Sequence, residues 1–270
     1  MGIRCVAIAV FLLASGFPLV AEVLKPETAV AFDHYVQLSE ERMTREIAAG
    51  QFLRVDSFMP QARSDELTRL ERGDIIVERM QTLDQGREVR VPGGMVHHWA
   101  GTVFIPGASL SQTLTFLQNY NNQYKFYGPD VQRSKLIQRN GDEFRVFLRL
   151  KKHEVITVIL NTEYDVKYSV LGPDKATSYS RSTRIAEVEH AGEASESEKP
   201  VGNDDGFLWR LNSYWRFLQR GGGVYVQLDA ISLTRDIPSG LSWLIGPFVT
   251  SIPKESLEFT LRHTRDALKQ

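Results

Sequence analysis

Cysteine is nearly absent from this 270-residue chain, whose single cysteine is Cys5, close to the N-terminus. A chain without a second cysteine forms no internal disulfide and offers no group of thiolates for a zinc or iron–sulfur site. An excess of charge of one sign is also lacking, since the formal net charge is −1. The composition therefore supports neither a nucleic-acid-binding protein, which would be basic, nor a disordered acidic chain.

Long apolar runs are scarce as well. The run at 5–14 follows Arg4 and is shorter than the ~20 residues that a membrane-spanning helix needs. A positive start, an apolar run and a break at Pro18 are together typical of a secretory signal peptide. We therefore expect residues 1–21 to be a cleaved signal and the protein to be exported, to a periplasm or outside the cell. An uncleaved anchor is the alternative.

Apolar residues make up 42% of the chain and aromatic residues 10%, enough to fill a core, to line a cavity, or to do both. After the signal, Pro26 begins a stretch with apolar residues at helical spacing, and Gly50 ends it. The expected organisation is therefore a signal at 1–21, an N-terminal amphipathic helix at 22–50 that docks on the main domain, and that domain at 51–270.

The main domain is predicted to be mostly β structure. Alternating apolar and polar residues indicate strands, and Asn140-Gly141-Asp142 is a strong hairpin turn. The predicted strands are 74–81, 95–105, 133–139, 143–151, 154–170, 177–188, 207–217 and 224–233. Helices are expected at 109–120, at 241–249 and from Pro253 onward. The polar segment 191–206 is expected to be a solvated loop.

Three stretches resemble the helix-grip superfamily of START and polyketide cyclase-like (SRPBCC) proteins, including uncharacterised secreted bacterial members. They are Gly107–Tyr120 with Tyr127–Val131, Arg181–Glu187, and Gly222–Pro238. The resemblance covers about residues 73–268. It implies an α+β fold in which a curved antiparallel sheet wraps around a long C-terminal helix, here with an extra N-terminal helix. It also implies a hydrophobic tunnel between sheet and helix, but no shared catalytic residue.

Large apolar residues of the predicted terminal hairpin are candidates for the wall of that tunnel. Alternate residues of a strand share a face, which groups Trp209, Leu211, Trp215 and Phe217. Trp243 and Phe248 on the following helix are expected to complete the wall. Ordinary core packing against the last helix is the alternative for each of them.

Charged residues inside apolar strands are candidate contacts for a polar head group. Arg149, Arg184 and Asp229 fit this description, because an ion that faces a cavity needs a partner. The alternative is that they face outward to solvent. Neighbouring His97 and His98 would point to opposite sides of a strand, so we predict no metal site, and we predict no cofactor and no catalytic residue.

The leading functional hypothesis is the binding or transport of a hydrophobic or amphipathic small molecule, such as a lipid. Nucleic acid is not an expected partner, any contact with a membrane would be transient, and the oligomeric state is left open. The alternative is an enzyme of the cyclase or hydratase type that uses Arg149, Arg184, Asp229 and Tyr214 in the same cavity. A third hypothesis is a structural role in the cell envelope, with the N-terminal helix as the docking element.

Overall fold

The computed structural model describes residues 22–153, 156–236 and 242–269, with Glu22 and residues 242–250 described by their backbone alone. The helices are α1 (Pro26–Ala48), α2 (Pro60–Glu71), α3 (Leu110–Leu117), α4 (Gln123–Phe126) and α5 (Ser242–Leu268). The longer strands are β2 (Ile76–Arg79), β5 (Gly94–Pro106), β6 (Val131–Asn140), β7 (Glu143–His153), β8 (Thr157–Val170), β9 (Lys175–Glu189), β12 (Arg210–Arg220) and β13 (Gly223–Arg235). Five two-residue strands complete the set: β1 (Glu22–Val23), β3 (Leu83–Asp84), β4 (Arg87–Glu88), β10 (Ser197–Glu198) and β11 (Asn203–Asp204).

The eight longer strands form one antiparallel sheet in the order β2-β5-β13-β12-β9-β8-β7-β6, and β10 adds to β9. Consecutive hairpins build the run from β6 to β9 and the pair β12–β13. The first long strand, β5, pairs with the last, β13, so the early and late parts of the chain meet in the sheet, one strand in from the β2 edge. Helix α5 then crosses one face of this sheet. This confirms the predicted α+β helix-grip architecture.

The face that α5 covers is the concave face. Its core joins apolar residues of β5, β12 and β13 to Leu257 and Leu261 of α5, with Leu110 and Leu117 of α3 at one end. Both α5 leucines are buried, at 3% and 0% exposure. The helix is therefore held on the sheet by its apolar stripe, as a helix of this pattern requires.

Gly101 of β5 allows α5 to approach the sheet closely. A Cβ atom at this position would lie 2.3 Å from Leu257 Cδ2 and 2.6 Å from Leu261 Cδ1. We expect Gly101→Ala to lower the free energy of unfolding by about 1–3 kcal/mol, the usual cost of overpacking a core. Urea unfolding measures this. Gly172→Ala is the control, because its Cβ would make only an ordinary 3.7 Å contact with Asp174, and equal losses in both variants would contradict the account.

The opposite, convex face is covered by α1 and α2. Helix α1 packs Phe32, Tyr35, Val36 and Met43 into a cluster with β12 and β13. Helix α2 closes a neighbouring cluster through Leu70, which is 1% exposed. The N-terminal helix thus docks on the main sheet as its single apolar stripe predicts, and it belongs to the hydrophobic core of the same sheet.

Three local features differ from what the sequence predicts. Helix α2 was missed because few apolar residues mark its pattern, and Leu70 is its one buried side chain among the described residues. Helix α5 is continuous from Ser242 through Pro253, where two helices were expected, since packing of its later turns on the sheet outweighs the local signal of proline. The segment 191–206 is mostly exposed, as predicted for a solvated loop, but it also contains the two-residue strands β10 and β11. None of the described helices is both long and apolar enough to cross a membrane.

Candidate functional site

The sizes of the side chains define a groove on the concave face, with the small residues of β9 as its floor. This strand directs Ala176, Ser178, Ser180 and Ser182 toward the concave side, as their pairing with β8 and β12 shows. None of these side chains is larger than serine. In a protein core, large side chains normally fill the space above a strand. Residues as small as these leave that space unfilled by β9 itself.

Larger side chains form the two walls of the groove. On β12, Leu211 and Trp215 flank the floor, and on β8, Tyr164, Val166 and Tyr168 do so. Trp215 stacks on Phe217 with ring centroids 6.0 Å apart. We call the floor residues and these walls, together with Trp99, Ser213 and Ala230 at the β5–β13 side, the concave trough.

The β8 wall of the concave trough is buried, whereas the trough side chains on β5, β12 and β13 are less buried than their positions in the sheet would suggest. Trp99, Leu211, Trp215 and Ala230 lie on central strands beneath a helix, yet all four are only half-buried. On the convex side of the same strands His98, Tyr214 and Asp229 are buried. On these three strands the described side chains therefore leave apolar surface of the concave face accessible.

Two hydroxyl groups in the trough have no hydrogen-bond partner within the described part of the chain. They belong to Tyr164 and Ser178, each 5% exposed. Thr162, next to Tyr164, donates its own hydroxyl to the Leu148 carbonyl at 2.8 Å. Burial raises the pKa of Tyr164 to about 12, so its hydroxyl keeps the proton that it could donate. Unpaired buried polar groups are costly, which makes them candidate ligand contacts.

The predicted wall residues fall into three groups. Leu211, Trp215 and Phe217 lie on the concave side, with Phe217 fully buried in the core. Trp209 does not share their face: it packs in the α1 cluster, and its indole N–H donates to Asp204 at 2.9 Å. The alternation fails at Trp209 because β12 begins one residue later. The side chains of Trp243 and Phe248 lie outside the described residues.

The two arginines nominated for a head group lie on the convex side. Arg149 is next to Leu148 and Leu150, which face inward, so it faces outward and binds Glu196. Arg184 would face inward by simple alternation from Ser182. A bulge between these two residues turns it outward, where it pairs with Glu198. Neither prediction of a head-group contact in the trough holds.

Asp229 is also on the convex side, buried beneath α1, and is not a head-group contact in the trough. Burial would raise the pKa of this carboxyl. The hydrogen bond from Gln227, the His98 ring 3.9 Å away and the charge of Arg216 outweigh burial and lower the pKa. The role of Asp229 is therefore to balance charge where the N-terminal helix docks.

The adjacent histidines point to opposite faces, as predicted for a strand. His97 Nε2 lies 3.1 Å from Thr234 Oγ1, whereas His98 Nδ1 lies 3.0 Å from Tyr35 Oη. The Tyr35 oxygen already accepts from Thr82 N–H. His98 Nε2 has no hydrogen-bond partner among the described residues and lies 3.9 Å from Asp229 Oδ1.

His97 should make stability depend on pH. Burial and then the charge of Arg79 lower its pKa from 6.5 to about 4. Above pH 6.5 the imidazole is neutral in both the folded and the unfolded chain. As the pH falls from 6.5 to about 4, the unfolded chain binds a proton first, so stability falls by roughly 3 kcal/mol.

The test is chemical unfolding across that pH window. His97→Gln keeps a side chain that can bond to Thr234 and does not titrate. We expect a shallower loss of stability with falling pH in this variant. Identical pH profiles for the variant and the parent protein would contradict the assignment.

Comparisons with known proteins find similar solved structures of low sequence identity. No family model matches the sequence, and no curated protein matches it. Similar solved structures include a STAR-related lipid transfer protein from Xanthomonas axonopodis, with 18% identity, 72% of this chain and 99% of that chain covered, and a TM-score of 0.45. A START superfamily protein from Mycobacterium smegmatis has 13% identity, 64% and 98% coverage, and a TM-score of 0.43. The Zhui aromatase/cyclase from a Streptomyces species has 12% identity, 65% and 94% coverage, and a TM-score of 0.37.

At these identities and TM-scores the likenesses show nothing about the ligand or activity of this chain. The fold is established by the topology itself. Sheet order, the short helices α3 and α4 after the first long strand, and a terminal helix across the concave face are all present. The chain has the helix-grip fold that the sequence resemblance implied.

Proposed function

We propose that the protein binds a hydrophobic or amphipathic small molecule of lipid-like character in the concave trough. The observation that carries this proposal is the incomplete burial of Trp99, Leu211 and Trp215 on central strands beneath α5. Side chains of this size in a sheet core are normally covered. A guest molecule would cover them.

The driving force would be burial of apolar surface. Transfer of apolar surface from water contributes about 25 cal/mol per Å², so a few hundred Å² supply several kcal/mol. The trough residues are apolar, aromatic or hydroxyl-bearing, and an ionised group would be costly among them. A charged group of the ligand would therefore remain at the rim, while a hydroxyl or carbonyl could bond to Tyr164 or Ser178 inside.

Native mass spectrometry tests the proposal. Protein purified without detergent should carry a lipid-like adduct that organic extraction removes, and the extracted protein should take up one bromoundecanol molecule. Protein that carries no adduct and takes up no probe would contradict it.

The alternative, a cyclase- or hydratase-type enzyme, requires acid–base groups that converge in the same space. The four residues nominated for it, Arg149, Arg184, Tyr214 and Asp229, all lie on the convex side. Tyr214 donates its hydroxyl to Glu40 of α1 at 2.7 Å. No observation on the described residues favours this alternative.

Export is part of the proposal and rests on the sequence of residues 1–21. A C-terminally tagged full-length chain should be recovered from the periplasm or the medium, shortened at its N-terminus. Recovery of the full-length chain from the cytoplasm would contradict export and leave the trough proposal untouched.

A further inference from the structure

A cavity of about 640 Å³ lies on the convex face, beyond the strands that α1 and α2 cover. Outward-facing residues of β6, β7, β8 and β9 form its floor, and residues 190–196 form its roof. Six of its lining residues matter here: Arg133, Arg149, Lys151, Ile159, Val188 and Glu196. The sheet separates this cavity from the concave trough.

The roof is held in place without a ligand. Arg149 Nη1 and Nη2 donate to the two carboxylate oxygens of Glu196 at 3.0 and 2.9 Å, and Gly192 N–H donates to the same carboxylate at 2.8 Å. Just beyond the roof, Glu198 pairs with Arg184 and accepts from Asn161 at 2.7 Å. The cavity is therefore pre-formed, which lowers the cost of ordering a site when a ligand binds.

The charges lining the cavity do not cancel. Glu196 compensates the buried Arg149, whereas Arg133 and Lys151 form no ion pair with any described residue. Two uncompensated cations match a dianionic group better than a single carboxylate, and Arg and Lys are both common partners of phosphate. Ile159 and Val188 add apolar surface beside them.

We propose that this cavity binds a phosphate monoester with a small apolar body, its phosphate between Arg133 and Lys151 and its apolar part against Ile159 and Val188. The phosphate could belong to a free metabolite or to a lipid head group, since the recognition chemistry is the same. The proposal does not depend on the occupancy of the concave trough.

Isothermal titration of the full chain with naphthyl phosphate tests the site. We expect saturable binding to one site, weaker binding of inorganic phosphate, and at least a ~10-fold loss of affinity in Arg133→Gln/Lys151→Gln, since each charge-assisted bond contributes over 1.4 kcal/mol. Lys135→Gln is the matched control, because Lys135 is a cation on the same strand and face but outside the cavity. It should bind like the parent protein.

Two further arms locate the binding and its source. Ser180→Trp, which fills the concave trough, should leave naphthyl phosphate binding unchanged, and loss of binding in that variant would overturn the assignment to the convex cavity. Flotation with phosphatidic acid vesicles that depends on Arg133 and Lys151, without binding of naphthyl phosphate, would support the site and identify the source as a lipid head group. Absence of binding in both assays, or equal binding by the double variant, would overturn the proposal.

Discussion

Replacing Ser180 with tryptophan should remove the binding of hydrophobic ligands while the protein stays folded. Ser180 lies at the centre of the trough floor, between Val166 of β8 and Ser213 of β12, and is half-buried. An indole at this position would occupy the space that we assign to the guest. We expect the affinity for bromoundecanol to fall at least ~100-fold, equal to about 2.7 kcal/mol. Titration followed by native mass spectrometry measures the change.

The control for this variant is Tyr179→Trp. Tyr179 directly precedes Ser180 on β9. Its side chain points to the convex side and is 42% exposed. The Tyr179→Trp substitution adds an indole to the same strand outside the trough, so the affinity for the ligand should remain that of the parent protein. Tryptophan is favoured in strands, so the fold should tolerate both changes. Full binding by Ser180→Trp would contradict the location of the site.

Arg216→Met should cause the largest loss of stability. Arg216 is 2% exposed, and it donates to Glu46 of α1 at 2.9 Å and to the Phe52 carbonyl at 3.1 Å. Its charge also helps to keep Asp229 ionised. Removing it leaves the buried carboxylate of Asp229 without a compensating cation, which costs about 3–5 kcal/mol, whereas Glu46 keeps its ion pair with Arg42 at 2.6 Å. Denaturant unfolding measures the loss.

Arg181→Met is the matched control. Arg181 also binds a carboxylate of α1, Glu40, at 2.6 Å, but its side chain is 52% exposed. An exposed ion pair contributes about 1 kcal/mol or less. Similar losses in the two variants would show that burial of Arg216 does not determine its contribution. Asp229→Asn should recover part of the stability of Arg216→Met, because it removes the uncompensated buried charge.

The hairpins and the N-terminal helix could be predicted from sequence because their signals are local. Asn140-Gly141-Asp142 makes the turn between β6 and β7, and alternation marked the strands on both sides. The helix pattern after Pro26 likewise predicted α1 and its docking. These elements depend on periodicity and turn chemistry within a few residues.

The candidate site was harder to predict, because one irregularity in a strand decides which side of the sheet the following side chains point to. A bulge before Arg184 turns its side chain to the convex side. Trp209 precedes the start of β12 and also points to the convex side. No periodicity reveals either. The alternating small residues from Ala176 to Ser182 were a visible signal for a groove floor, but large aromatic residues drew the interpretation to the neighbouring hairpin.

The charged candidates had a different role from the one predicted. Arg149 and Arg184 anchor the polar segment that looked like a solvated loop, through Glu196 and Glu198. Their partners lie up to 47 residues away in sequence. Pairing over such distances is set by the sheet topology, so the sequence indicates that these charges need partners without indicating which ones.

Quenching of single tryptophans by bromoundecanol tests the central claim most directly. Trp215 lies on the concave side and Trp209 on the convex side of the same sheet. Each variant keeps one of these two tryptophans and has the other three tryptophans of the chain replaced by phenylalanine. A guest in the trough should quench the fluorescence of Trp215 saturably and leave the fluorescence of Trp209 unchanged. Equal quenching of both indoles, or no quenching of Trp215 at saturating probe, would contradict it.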